Sequence, residues 1–202
     1  NFKKHHPARD IQDTFFIDKQ PHQDMGHLVL RTHTSPVQVR SMLKHGAPLK
    51  IIIPGRVYRN EDQDATHEHT FYQIEGLLID ENIGIGHLRG VLEEFLSQLF
   101  EKKISTRFRP GYFPFTEPSL ELDMSCVFCD QKGCKVCKHT GFIELLGCGM
   151  VHPNVLKASN IDPEKHQGFA FGMGLDRILM LKYAFESVCD IRANDLRILK
   201  QL

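Results

Sequence analysis

What the chain lacks narrows its class before any motif is read. It has no charge excess: 25 Lys and Arg balance 25 Asp and Glu, a formal net charge of zero. A bare nucleic-acid binder carries a basic surplus to neutralise phosphates, so any contact with RNA falls to an appended module or subunit. No apolar run approaches the about 20 residues that cross a bilayer; the longest resemble Ile51-Ile52-Ile53 and Leu77-Leu78-Ile79. Asn1 opens the chain with neither an initiator Met nor a signal-peptide pattern, which reads as a piece of a longer cytoplasmic protein with no membrane partner. A GxxxxGK(S/T) loop and regular βαβ alternation are both missing, so a nucleotide would need a site that is neither P-loop nor Rossmann. Gly and Pro are few, 15 and 10 of 202 residues, and the chain is 41% apolar and 25% charged. Those proportions describe one ordinary globular domain.

What is present reads as a strand-rich α+β domain. Leu88, Val91, Leu92, Phe95, Leu96, Leu99 and Phe100 recur at helical spacing, which predicts an amphipathic helix over 86–101. A second helix starts at Ser35-Pro36, with Ser or Thr as its cap and Pro36 in the first turn. A third lies between Gly174 and Phe185. Strands are expected at 50–59, 71–80, 105–109, 119–125, 142–148 and 168–172. Short loops between them, without crossover helices, indicate an antiparallel sheet flanked by helices.

Four of the six cysteines fall within twelve residues, as Cys126-Val127-Phe128-Cys129 and Cys134-Lys135-Val136-Cys137. Each pair is followed at one offset by a glycine, Gly133 and Gly141, so CxxCxxxG occurs twice in tandem. Paired CxxC knuckles present four thiolates to zinc. The alternatives are reduced thiols on a loop or a redox-active pair, and His139 is either a replacement ligand or a solvated loop histidine. The segment 124–142 therefore reads as an insertion into one hairpin. Cys148 and Cys189 read as small buried hydrophobes.

Four further stretches carry chemistry. They are Leu30-Arg31-Thr32-His33-Thr34-Ser35-Pro36; Arg56-Val57-Tyr58-Arg59 running on to Phe71-Tyr72-Gln73-Ile74-Glu75-Gly76; Tyr112-Phe113-Pro114-Phe115-Thr116-Glu117-Pro118; and Gly168-Phe169-Ala170-Phe171-Gly172-Met173-Gly174-Leu175-Asp176-Arg177. In this order and at these distances the chain resembles the α subunit of bacterial-type phenylalanyl-tRNA synthetases, of class II. The second stretch is similar to class II motif 2 and the fourth to motif 3. The likeness covers 1–202 as one catalytic domain, without the family's N-terminal helical arm.

Activating a carboxylate with ATP needs fixed cations around the phosphates, and arginine grips phosphate oxygens with a planar fork. The resemblance implies that Arg59 meets the α-phosphate, Arg177 the γ-phosphate side, and Phe71 the adenine. Glu61 and His67 would lie close to the nucleotide, and Glu117 would be a Mg2+ ligand. Gln73 and Glu75, two apart on a strand and so on one face, are assigned with His33, Ser35 and Gln38 to the amino acid's polar end. Phe113 and Phe115, read with the same spacing, would hold an aromatic ring, and Ala170 would set the depth of the slot. The family implies activation of L-phenylalanine, transfer to the terminal adenosine of tRNA(Phe), a β subunit and an α2β2 heterotetramer. A non-catalytic class II module is the competing reading, which loss of Arg59, Arg177, Gln73 or Glu75 would favour. A zinc-knuckle nucleic-acid binder leaves most of the chain unexplained.

Overall fold

A computed structural model describes residues 14–17, 27–62, 68–185, 191 and 196–200. Six strands form one antiparallel sheet: β1 (Leu49–Tyr58), β2 (Thr70–Asp80), β3 (Thr106–Gly111), β4 (Thr116–Ser125), β5 (Phe142–Val151) and β6 (Gln167–Gly174), in the spatial order β1-β2-β6-β5-β4-β3. The helices are α1 (Pro36–His45), α2 (Ile85–Phe100), α3 (Pro153–Ala158), α4 (Leu175–Tyr183) and the short α5 (Leu196–Leu199). The expected α+β class and antiparallel sheet are both present. Pro54 and Pro110 sit on β1 and β3, the two edge strands, where a missing amide donor interrupts no central ladder.

The two sheet faces differ in character. Leu88, Leu92 and Leu96 of α2 are each 0% exposed, and they pack with Ile178 and Leu181 of α4 against Leu122, Leu146, Phe169 and Met173. Burying each such leucine stabilises the fold by about 1.5–3 kcal/mol. On the other face, Met42 of α1 and Leu156 of α3 cover Leu77, Ile79 and Ala170 at one end of the sheet only. The rest of that face is left open, and the cross-strand register explains its shape. Glu75 pairs with Gly172, Gly172 with Gly147, and Gly147 with Glu121. Paired residues share a face, so a row of glycine runs across the middle strands and leaves a trough.

Three local expectations change. Ser35 occupies the N-cap position of α1 and Pro36 the first turn, yet Ser35 makes no capping hydrogen bond. Its hydroxyl is turned toward β2 instead, where it donates to a Glu75 oxygen at 2.9 Å. Phe113 and Phe115 lie in the turn before β4 rather than on a strand, closed by the Thr116 amide donating to the Phe113 carbonyl at 3.1 Å. Helix α3 went unread, although His152-Pro153 announces it: Pro153 opens the helix and His152 Nδ1 accepts the Asn154 amide at 3.0 Å.

Candidate functional site

A cavity of about 200 Å³ opens on the trough, lined by His33, Ser35 and Gln38 from the α1 segment, Arg59 after β1, Gln73 and Glu75 on β2, Phe113 and Phe115, and Ala170 on β6. These nine of the expected site residues, drawn from all four sequence stretches, therefore converge on one space. Thr116, Gly147, Cys148, Phe171 and Gly172 also line it, and none of these is assigned a role in the site from sequence. The available signal was Gly147-Cys148-Gly149 inside an otherwise apolar strand. A Cβ on Gly147 would lie 2.6 Å from the Phe113 ring, and one on Gly172 would lie 3.0 Å from Gln73 Nε2. Glycine at these two places is what lets a ring and an amide fold down onto the sheet.

The polar end is organised by Glu75, a residue only 3% exposed. One oxygen accepts the Thr34 amide at 3.1 Å and the Ser35 hydroxyl at 2.9 Å; the other accepts Gln38 Nε2 at 2.5 Å. It thus sits against the start of α1, where the helix dipole favours an anion. A carboxylate can accept about four hydrogen bonds, so the second oxygen retains capacity for a further donor. Burial pushes the Glu75 carboxyl above its ordinary value, against those hydrogen bonds. Beside it, Gln73 Oε1 and His33 Nδ1 are buried with no hydrogen-bond partner among the described residues. Orphaned polar atoms in a cavity wall are unfavourable unless a ligand satisfies them. An acceptor amide next to an acceptor carboxylate calls for a cationic N–H donor. His33 is held below its ordinary pKa, first by burial and then by the charge of Arg59, so its ring stays neutral.

The apolar end is built by aromatics. The Phe113 and Phe115 rings lie 6.1 Å apart at 17°, and His33 meets Phe115 at 6.0 Å. Ala170, on β6, is 7% exposed and lines the same cavity. Cys148 is buried as expected, and burial pushes its thiol up to about 12.

Arg59 bridges the cavity to the remaining trough. Its guanidinium stacks over the Phe71 ring at 4.9 Å and donates to the Thr32 carbonyl at 3.3 Å, with Glu61 at 4.0 Å. Burial lowers its pKa, opposed by Glu61, yet arginine remains charged. Phe71, Gln73 and Glu75 alternate along β2 and so share the site face. His67 and Cys189 lie outside the described residues.

Arg177 is not in this cavity. It lines a second one of about 580 Å³ with Arg107, Arg109, Asp123 and Glu144, toward the far end of the same face. Asp123 accepts from Arg107 at 2.7 Å and Arg109 at 2.8 Å, and Arg109 also meets Glu121 at 2.9 Å and Glu144 at 2.8 Å. The Tyr72 amide donates to Asp176 at 2.9 Å, which fixes the start of α4, and hence Arg177, beside the Phe71 end of β2. Glu117 lines neither cavity; its exposed carboxylate meets His152 Nε2 at 3.1 Å.

Between β4 and β5, residues 126–141 form the cysteine insertion, one to two residues inside the expected 124–142. All four Sγ atoms lie within 4.8 Å of one another, and Cys126–Cys134, Cys129–Cys137 and Cys134–Cys137 are separated by 3.7, 3.8 and 3.7 Å. Zn–S bonds of about 2.3 Å at a tetrahedral centre require S···S edges of about 3.8 Å, whereas a disulfide needs about 2.0 Å. The sulfur tetrahedron fits a thiolate-bound metal. The tandem motif folds as a pseudo-twofold pair: Asp130 and Gln131 after one CxxC, and Lys138 and His139 after the other, all take positive φ, as do Gly133 and Gly141. A Cβ on Gly133 would strike the His139 carbonyl at 2.9 Å, and one on Gly141 the Gln131 carbonyl at 2.6 Å. The glycines are thus the reciprocal contact of two knuckles. Burial raises the Cys126 thiol. At Cys137, amides of Cys134 and Gly141 on the sulfur overcome burial and lower it, which is how knuckle amides favour a thiolate. His139 is exposed outside the tetrahedron.

Comparisons with known proteins agree with this geometry. The family model described as tRNA synthetases class II core domain (F) matches residues 1–202. The phenylalanine–tRNA ligase alpha subunit of Francisella tularensis subsp. novicida (strain U112) is 58% identical over 201 residues, covering 100% of this chain and 57% of that protein. Proteins of the same name from Francisella tularensis subsp. tularensis (strain SCHU S4 / Schu 4) and subsp. holarctica (strain LVS) match at the same identity and coverage. The chain therefore spans just over half the length of these relatives.

Proposed function

The chain belongs to the class II aminoacyl-tRNA synthetase core family, and from that premise we propose that it is the catalytic core of a phenylalanine–tRNA ligase α subunit. It activates L-phenylalanine with ATP and transfers it to the terminal adenosine of tRNA(Phe), working in the cytoplasm as part of an α2β2 assembly. The observation that carries this reading is the polar end of the smaller cavity. Gln73 Oε1 is an orphaned acceptor beside the Glu75 carboxylate, opposite a slot walled by Phe113 and Phe115 and ended by Ala170. An α-ammonium satisfies the acceptors, and a phenyl ring fills the slot.

In this mechanism Glu75 and Gln73 hold the ammonium so that the carboxylate points toward Arg59. Phe71 stacks on adenine while Arg59, packed on the same ring, steadies the charge that builds on the α-phosphate as the carboxylate attacks and pyrophosphate leaves. Arg177 receives the phosphate tail, and Glu61 and His67 belong to the nucleotide's surroundings. Glu117, whose carboxylate is exposed, would be this chain's ligand to the Mg2+ that accompanies ATP, which would neutralise phosphate charge; magnesium suits one or two carboxylates alongside phosphate oxygens. Among the described residues Glu117 belongs to no group of three or more His, Cys, Asp or Glu side chains that could hold a metal. The four thiolates of 126–137 hold a structural Zn2+. Nothing favours the non-catalytic module, since Arg59, Arg177, Gln73 and Glu75 are all in place.

The activating step is tested by exchange of labelled pyrophosphate into ATP, with the chain and its β partner. Exchange that depends on phenylalanine is expected; a folded assembly with no amino-acid-dependent exchange would contradict the reading. Ala170→Gly lengthens the slot by a methyl group, so p-chlorophenylalanine should become a substrate, its kcat/KM rising about 10-fold or more, in line with the 1–3 kcal/mol a methylene decides. An unchanged preference would place the end of the slot elsewhere. For the metal, protein purified without chelator should carry about one zinc per chain. Less than about a tenth of an equivalent would remove zinc from the account.

A further inference from the structure

The second cavity is lined by six charged groups, four basic and two acidic, whose charges do not cancel evenly. Arg107 and Arg109 are engaged by Asp123, Glu121 and Glu144. Two cations that line the same cavity are not: Arg177 at the start of α4, and Lys138, which directly follows Cys137 of the four-cysteine cluster. Neither forms an ion pair among the described residues. We propose that Lys138 is a second cationic contact for the phosphate tail of the nucleotide, delivered to the site by the metal-bound knuckle. This rests on the reading that places ATP on Phe71 and Arg59.

The placement is built rather than incidental. Lys138 is fixed at φ 50° between the Cys137 thiolate and His139. Its amide donates to the Lys135 carbonyl at 3.1 Å, and that of His139 to the Cys134 carbonyl at 2.8 Å. The knuckle itself is tied to the sheet by the Cys126 amide on the Gly141 carbonyl at 2.9 Å, and to the end of α2 by Lys102 Nζ on the Val127 carbonyl at 2.8 Å. The pseudo-twofold mate of Lys138 is Asp130, which pairs with Lys102 away from the cavity. The two knuckles share one fold, and the cation is on the one that faces Arg177. A polyanion entering between Arg177 and Lys138 meets two unneutralised cations, and the terminal phosphates of ATP, or departing pyrophosphate, match that demand.

The experiment is calorimetric titration of Mg·ATP, AMP and phenylalanine into the wild-type chain and into Lys138→Ala, Lys138→Arg and Lys132→Ala. Lys138→Ala should weaken ATP by about five- to tenfold, the range of one partly exposed charge-assisted contact. AMP and phenylalanine should bind as in wild type, Lys138→Arg should restore ATP, and Lys132→Ala should change nothing. Equal weakening of AMP and ATP would mean a disturbed wall rather than a lost phosphate contact, and would overturn the proposal. Unaltered ATP affinity in Lys138→Ala would also overturn it, and a raised KM for tRNA in that variant would reassign the lysine to RNA. If the wild-type chain binds phenylalanine and AMP but ATP no more tightly than AMP, the phosphate site fails while the proposed amino-acid site stands. If it binds none of them, the proposed function itself fails.

Discussion

Replacing Arg59 by alanine should lower phenylalanine-dependent pyrophosphate exchange by about 10²–10³-fold, the range for removing one preorganised donor to a developing charge. The size follows from position. Among the described residues Arg59 is the only arginine lining the smaller cavity, and it is held there by the Phe71 ring at 4.9 Å and the Thr32 carbonyl at 3.3 Å. In the proposed reaction it would reach the phosphate already oriented, with little reorganisation left for the transition state. Arg59→Lys should rescue only a small part, because a point charge reproduces neither the fork nor the stacking. Phenylalanine binding measured alone should survive both changes. A loss of less than about tenfold in exchange would mean that the charge is stabilised from elsewhere.

Glu75→Gln should weaken phenylalanine by about 30-fold or more, since truncating one partner of a buried charged pair costs about 2–5 kcal/mol. The substitution keeps the shape but replaces an acceptor oxygen with a donor amine amid three donors from Thr34, Ser35 and Gln38. A pH profile separates charge from shape. Burial raises the Glu75 carboxyl above its ordinary value, so ammonium binding, which needs the carboxylate, should fade as pH drops through that raised value, earlier than for an exposed glutamate. The stability linkage has the opposite sign. With a raised folded pKa the neutral form is favoured, so the contribution is fully present below the unfolded value and is lost as pH rises through the folded one. Glu75→Gln should flatten both dependences. Phenylalanine affinity that falls with pH identically in wild type and variant would assign the titration to another group.

Most of this architecture was legible because strands announce themselves one at a time. Alternation and β-branching placed all six, and the spacing of Leu88, Leu92 and Leu96 placed the helix behind them. The convergence of His33, Arg59, Gln73, Phe113 and Ala170 was readable only through the ordered motifs, since periodicity gives faces and not distances. What the sequence hid depends on partners remote along the chain. Ser35 looks like an ordinary helix cap until Glu75, 40 residues on, takes its hydroxyl. Phe113 and Phe115 reach one cavity through a turn, which strand spacing imitates by coincidence. Gly147 reads as a weak point in a strand until Phe113 is seen lying over it. The resemblance links Arg177 and Arg59 through one nucleotide, whereas the fold sends Arg177 to the larger cavity beside the cysteine knuckle. The repeat CxxCxxxG, by contrast, was visible in full, and its glycines proved to be the mutual contact of the two halves.

The most direct test of the central claim is calorimetric binding of non-hydrolysable adenylate analogues carrying phenylalanyl, tyrosyl or leucyl groups. They occupy the slot, the Gln73–Glu75 clamp and the Arg59–Phe71 platform together, and they require no tRNA. Tight binding of the phenylalanyl form, with the tyrosyl form weaker by about 10–100-fold and the leucyl form weaker still, is predicted from a slot of this shape ended by Ala170. Equal affinities for all three, or no binding by a chain shown to be folded, would contradict it.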